Sequence, residues 1–166
     1  MSPLYATLSL VVLQRLGELG VAAIHTHRLL AGGAVEIDTE GYKWFVLLHA
    51  GWLVAMVLAI PAETSPSWLL LGLYVALQPV RLWLIASLGS RWTTRLIVVP
   101  GAPVLATGPY RYLRHPNYLV VIAEIAILPL AFGAVAIAAA FSAANLGLIL
   151  RRVRIEEAAL APLRGH

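Results

Sequence analysis

The chain has 166 residues, of which 60% are hydrophobic and only 12% charged, with a net charge of +4, no cysteine and a mean hydropathy of +0.83. Soluble domains carry about 25% charged and 45–50% apolar residues, so this composition excludes a disordered chain and a nucleic-acid-binding tail. The lack of cysteine excludes a disulfide-stapled scaffold, and the chain reads as a single all-α integral membrane domain, 1–166.

Five apolar stretches, read as about five transmembrane helices, follow in order, at 3–24, 44–60, 67–88, 118–131 and 133–150. The first carries Arg15 and Glu18 and lacks a basic start, which argues against a cleaved signal peptide. The second holds His49 and the third Gln78 and Arg81; these three segments form an N-terminal unit, 1–88. The last two stretches are short and meet at Phe132-Gly133, so they read as a tight helical hairpin. Together with the loop 89–117 and the helical tail they form the second half, 89–166. Gly32-Gly33 reads as a turn.

Ten of the twelve basic residues lie after segments one, three and five: Arg28, Lys43, Arg91, Arg95, Arg111, Arg114, Arg151, Arg152, Arg154 and Arg164. The positive-inside rule then places the N-terminus outside and the loop and tail in the cytoplasm of a plasma or inner-membrane protein. The two remaining basic residues, Arg15 and Arg81, lie inside apolar segments, where a charge is costly and is paired or functional. Counted from the cytoplasmic end of each segment at 1.5 Å per residue, Glu18, His49, Arg81, Glu124 and Asn145 all fall roughly 8–11 Å deep. Arg15 and Gln78 lie one turn further in. Mutual neutralisation, Arg15 with Glu18 and Arg81 with Glu124, accounts for single pairs; the whole layer points to a buried polar pocket open to the cytoplasm.

The long loop ends in Gly108-Pro109-Tyr110-Arg111-Tyr112-Leu113-Arg114-His115-Pro116-Asn117-Tyr118. Pro116 suits the first turn of a helix with His115 at its cap, and the free N–H groups there suit an anion. A plain juxtamembrane anchor of Arg and Tyr is the competing reading. The tail, with Arg152, Glu156 and Glu157, continues the fifth segment as a helix. Arg152 and Glu156 form an i,i+4 pair there, but two adjacent glutamates beside an anionic membrane surface suit a cationic ligand better. No P-loop, GxGxxG or Ser/His/Asp order is present, and His25 and His27 diverge on a helix, so no metal site is expected.

The run Arg114-His115-Pro116-Asn117-Tyr118, followed by Arg152-x-x-x-Glu156-Glu157-x-x-Leu160, resembles the isoprenylcysteine carboxyl methyltransferase family, integral membrane enzymes that use S-adenosylmethionine. Further pieces are similar to a bacterial branch that O-methylates alkylpyrones and alkylresorcinols: Gly41-Tyr42-Lys43-Trp44 before His49, Trp92-Thr93-Thr94-Arg95, and Tyr118-Leu119-Val120-Val121 before Glu124. Val120 stands where the family pattern usually has glycine.

The resemblance implies that Ala102, Pro103, Val104 and Leu105 line the cofactor through backbone contacts and that Tyr110 packs on the adenosine. It also implies that His115, Pro116, Asn117 and Tyr118 close over the methionine part. Glu156, with Glu157 beside it, would bind the amino group or a ribose hydroxyl, and Arg152 would face a lipophilic acceptor within the membrane lipid. Arg95 stands near the cofactor by position only. For the acceptor oxygen, Arg152 or Arg81 would hold an ionised pyrone hydroxyl, whereas a resorcinol would call for a base, Glu124 or His49. Carboxyl methylation of an isoprenylated cysteine is the alternative activity; a nicotinamide-dependent lipid reductase and a non-catalytic membrane protein are the readings further off.

Overall fold

The computed structural model describes residues 2–103, 105 and 107–161. Val104 and Arg164, both used in the sequence reading, lie outside the described residues.

Among the described residues five α-helices build the fold: α1 (Pro3–Ala31), α2 (Thr39–Ala59), α3 (Trp68–Leu88), α4 (Pro116–Ala131) and α5 (Val135–Leu160). Four of them, all but α4, are long and apolar enough to cross a membrane. At 1.5 Å per residue the 16 residues of α4 reach about 24 Å, short of the ~30 Å hydrocarbon core. The 26 residues of α5 reach about 39 Å, so the helix runs on beyond the apolar stretch as expected from the tail.

Local chemistry sets the ends. Ser2 caps α1, with Pro3 at its first position. Gly33 closes the turn after α1 at φ 87, where a side chain would be strained. Asp38 caps α2 by accepting from the Gly41 N–H at 3.1 Å. Pro116 opens α4 behind His115. Gly133 at φ 71 turns the chain between α4 and α5, making the expected hairpin.

Two details differ from the sequence reading. Arg28 and Lys43 are helical, in the last turn of α1 and near the start of α2, because the helices continue past their apolar stretches. The fold is also not purely helical. A two-residue antiparallel ladder, β1 (Val35–Glu36) with β2 (Ile97–Val98), joins the loop after α1 to the loop after α3. Elements this short carry no alternation that a sequence could display.

Helix α3 packs on α4, α4 on α5 and α5 on α2. The apolar core occupies the end opposite the arginine-rich loops, where Leu4, Leu8 and Val11 of α1 meet Trp52 and Met56 of α2, Tyr74 of α3 and Ile125 and Leu128 of α4. Many large apolar residues face outward, such as Leu58, Leu69 and Trp68. Such a surface suits lipid and would be a liability in water. The other half of the bundle is where the polar groups gather.

Candidate active site

Arg15 and Glu18 of α1, both half-buried, join the buried Arg81 of α3 and Glu124 of α4 in one charge-balanced quartet. Arg15 reaches Glu18 at 3.1 Å and Glu124 at 2.7 Å. Arg81 donates two 2.6 Å bonds to Glu18 and one of 3.1 Å to Glu124. Gln14 and Gln78 close the ring, Gln14 donating to Glu18 and Gln78, and Gln78 to Glu124. The expected pairs therefore exist, but each arginine also serves the other glutamate. The polar layer came together except at two points. Asn145 is fully buried and neither of its side-chain polar atoms is hydrogen-bonded among the described residues, and His49 donates from Nδ1 to the Phe45 carbonyl at 2.8 Å. A carbonyl only accepts, so His49 Nε2 is the ring nitrogen left to take a proton.

A cavity of about 450 Å³ lies against this layer, within the size range of small-molecule sites. Arg15, Glu18 and Arg81 form part of its wall, as do His49, Tyr110, His115, Asn117, Tyr118, Arg152 and Glu156. Two apolar stripes complete it, Val12, Leu16 and Leu19 on α1 and Val46, Ala50 and Leu53 on α2. Each recurs at i, i+4, i+7, the spacing of one helix face.

The two sequence motifs, about 35 residues apart in the chain, interlock here. Tyr118 donates its hydroxyl to Glu156 at 2.7 Å and accepts from Arg152 Nε at 3.0 Å. His115 stacks on Tyr118, with ring centroids 5.5 Å apart, and contacts Glu157 at 2.7 Å and Glu156 at 3.5 Å. The second face of Arg152 donates to the Thr94 carbonyl at 3.0 Å, and its guanidinium lies over the Phe45 ring at 5.2 Å. None of the ion pairs among the described residues involves Arg152, so this cation keeps donor capacity for an incoming anion.

Tyr110 Oη and Asn117 Oδ1 are buried and find no hydrogen-bond partner among the described residues. Burial, with repulsion from Glu156 behind it, pushes the Tyr110 hydroxyl up to about 12, so it remains a proton donor at neutral pH. Two unsatisfied polar atoms beside a cavity are what a polar ligand would complete.

Not every expected residue reaches the cavity. Glu124 is fully enclosed, its carboxylate held by two arginines and Gln78, and presents no face to a ligand. Pro116, Glu157, Ala102, Pro103 and Leu105 are not among the lining residues. Pro103 spends its carbonyl on Arg91 at 2.9 Å. Arg95 does reach the lining, paired with Glu36 at 3.0 Å and stacked on Tyr42 at 4.7 Å. The sequence reading had no role for Phe45 or the Thr94 carbonyl; a backbone oxygen leaves no trace in residue type. His25 donates to the Trp92 carbonyl at 2.8 Å, and no group of three metal-ligating side chains exists among the described residues.

The sequence profile of the isoprenylcysteine carboxyl methyltransferase (ICMT) family matches residues 70–162. The chain is 34% identical to the uncharacterized protein YpbQ of Bacillus subtilis, over 92% of this chain and 94% of that one. It is 22% identical to an uncharacterized protein of Haemophilus influenzae, over 95% and 94% of the two chains. No solved structure matches significantly.

Proposed function

The chain belongs to the isoprenylcysteine carboxyl methyltransferase family of membrane methyltransferases, and we propose that it transfers a methyl group from S-adenosylmethionine to an oxygen of a lipophilic acceptor. The acceptor we favour is an alkylpyrone or alkylresorcinol hydroxyl. One observation carries the reading: a single cavity joins the polar cluster of His115, Tyr118, Arg152 and Glu156 to two apolar helix stripes.

When bound, S-adenosylmethionine supplies a methyl group already activated by the sulfonium sulfur. What remains for the chain is to hold two partners in line and to exclude water. The donor set fits the cofactor. Glu156 has spare acceptor capacity for an ammonium or a ribose hydroxyl, and the unpartnered Tyr110 hydroxyl and Asn117 amide oxygen offer a donor and an acceptor beside it. Pro116 shapes the start of α4 that presents Asn117 and Tyr118, and Glu157 orients His115. Ala102 to Leu105 are retained as backbone contacts on the strength of the resemblance alone.

Arg152 would hold the acceptor oxygen as an anion; what supports this is that its partners here are a phenol, a carbonyl and an aromatic face. For a less acidic hydroxyl His49 is the base we favour, because it lines the cavity with one ring nitrogen uncommitted while Glu124 is sealed behind two arginines. The hydrocarbon tail would lie between the stripes of α1 and α2. The arginine-rich end would face the cytoplasm of the plasma or inner membrane, where the polar cofactor is dissolved.

The test is transfer of labelled methyl by the purified protein in nanodiscs, with a long-chain alkylpyrone, an alkylresorcinol and a farnesylated cysteine offered side by side. Methylation of the polyketide lipids is expected. Methylation of the prenylcysteine alone would replace the acceptor, and absence of both transfer and cofactor binding would overturn the reading.

A further inference from the structure

Asp38 and Arg151 lie 113 residues apart, outside the cavity lining and outside both sequence motifs. Asp38 is nonetheless buried and does two things at once. It caps α2 through the Gly41 N–H at 3.1 Å, and it takes a fork of bonds from Arg151 of 2.8 and 3.1 Å. A two-bond guanidinium–carboxylate contact fixes angle as well as distance. The approach is so close that a Cβ at Gly41 would overlap the Asp38 carboxylate and crowd the Arg151 guanidinium.

The next residue along α5 is Arg152, and one turn along α2 from Gly41 is Phe45, the ring on which Arg152 rests. Neighbouring residues on a helix diverge by about 100°, so Arg151 grips the start of α2 while Arg152 turns into the cavity. The same corner is braced from the loops. The β1–β2 ladder ends two residues before Asp38, and Thr94, whose carbonyl receives Arg152, touches the Tyr42 hydroxyl at 3.4 Å.

We propose that Asp38, through its grip on Arg151, is a positioning residue that sets the register of α5 against α2 and so aims Arg152 at the methyl acceptor. The proposal rests on the reading of Arg152 given above. It assigns Asp38 no contact with cofactor or acceptor. Loosening the grip leaves every cavity side chain in place chemically but lets Arg152 swing about its two remaining anchors, Tyr118 and Thr94. A misplacement of about 1 Å in a group that holds a reactant costs up to 10²-fold in rate, so about tenfold is expected from a partial loss.

Two measurements test this in nanodiscs. Asp38→Asn keeps a good helix cap but removes the charge, Arg151→Gln removes the fork, and Arg151→Lys keeps the charge on a point donor. In the first two, transfer to the acceptor falls about tenfold while S-adenosylmethionine affinity stays near the parent's; Arg151→Lys, which keeps the charge without the fork, recovers only part of the loss. The protein has no cysteine, so nitroxide labels at Glu40→Cys and Arg154→Cys report the α2–α5 distance without background. Its distribution broadens in Asp38→Asn and Arg151→Gln and broadens less in Arg151→Lys. Unchanged transfer in Asp38→Asn overturns the proposal, and so does loss of cofactor affinity in step with transfer, which would make the contact a support for the whole site. Should the parent neither bind cofactor nor transfer methyl, the methyltransferase reading fails by itself. The labels then still decide: an unbroadened distribution overturns the positioning of α5 by Asp38, and a broadened one upholds it.

Discussion

Replacing Glu124 by Gln tests the buried quartet most directly. The carboxylate is fully buried and accepts from Arg15 at 2.7 Å, Arg81 at 3.1 Å and Gln78 at 3.2 Å. Glutamine keeps the shape but removes the charge, leaving two arginines against Glu18 alone, and its own amide N–H groups face other donors. Breaking a buried ion pair by removing one partner costs about 3–5 kcal/mol. The lower end applies because Arg15 borders the cavity and is 17% exposed, so water can partly solvate the stranded charge. We expect a loss of about 3 kcal/mol, roughly two orders of magnitude in the folding equilibrium. Adding Arg15→Met should restore part of it, because Arg81 and Glu18 then remain as a balanced pair joined by two 2.6 Å bonds. The assay is reversible unfolding in mixed micelles followed by the fluorescence of the five tryptophans. A single variant within about 0.5 kcal/mol of the parent, the range of an ordinary surface change, would refute the reasoning. A double variant that loses the sum of the two single losses would also refute it, because the charges would then not be coupled.

Further outcomes follow from the same geometry. Tyr110→Phe removes one buried donor and should weaken S-adenosylmethionine binding about fivefold by calorimetry, the worth of roughly 1 kcal/mol; unchanged affinity would remove Tyr110 from the cofactor site. Arg152→Lys keeps the charge but loses the planar guanidinium that reaches Tyr118 and the Thr94 carbonyl from separate nitrogens, so acceptor turnover should fall about tenfold with cofactor affinity nearly constant; the reverse pattern would move Arg152 to the cofactor. The hydrogen bonds from Arg151, with the Gly41 N–H and the nearby Arg152 charge, hold the Asp38 carboxyl below the usual carboxylate range. A group with a lowered folded value stabilises at neutral pH and loses that contribution as pH falls through the lowered value, so the unfolding temperature should drop below about pH 4. Asp38→Asn should flatten that step, and an identical acid profile would show that Asp38 does not drive it. Orientation is open to labelling of single cysteines on intact cells: an impermeant maleimide should reach Ser65→Cys between α2 and α3 but not Ser90→Cys after α3. The opposite pattern would invert the chain in the membrane.

Much of this protein is written in its linear order. Long apolar runs specify the helices, because a single segment buried in hydrocarbon satisfies its own backbone only as a helix, and Gly133 marks the turn of the hairpin; the helix ends run past those stretches, to Ala31 in α1 and to the Asp38 cap in α2. The clustering of arginine after alternate segments distinguishes one end of the bundle from the other, and counting residues from that end was enough to gather Glu18, Arg81 and Glu124 at one depth, with Arg15 one turn further in. The likeness to the methyltransferase family was legible because it is carried by two short motifs, Arg114-His115-Pro116-Asn117-Tyr118 and Arg152-x-x-x-Glu156-Glu157-x-x-Leu160, whose residues stand in the chain as such. Depth, however, is one coordinate of three. Which arginine serves which glutamate depends on how α1, α3 and α4 are rotated about their axes, and that rotation turned an expected pair of bridges into a shared quartet that encloses Glu124 and leaves His49 at the cavity. Contacts made through backbone oxygens, such as Arg152 with the Thr94 carbonyl, have no residue signature at all. The grip of Asp38 on Arg151 joins two ordinary surface-type residues from opposite halves of the chain, and only packing α5 against α2 brings them within reach. Composition and periodicity determined that there is a membrane bundle with a polar end; the rotation of its helices decided which side chains meet there, because hydrophobicity specifies how deep a residue lies but not which neighbour it faces.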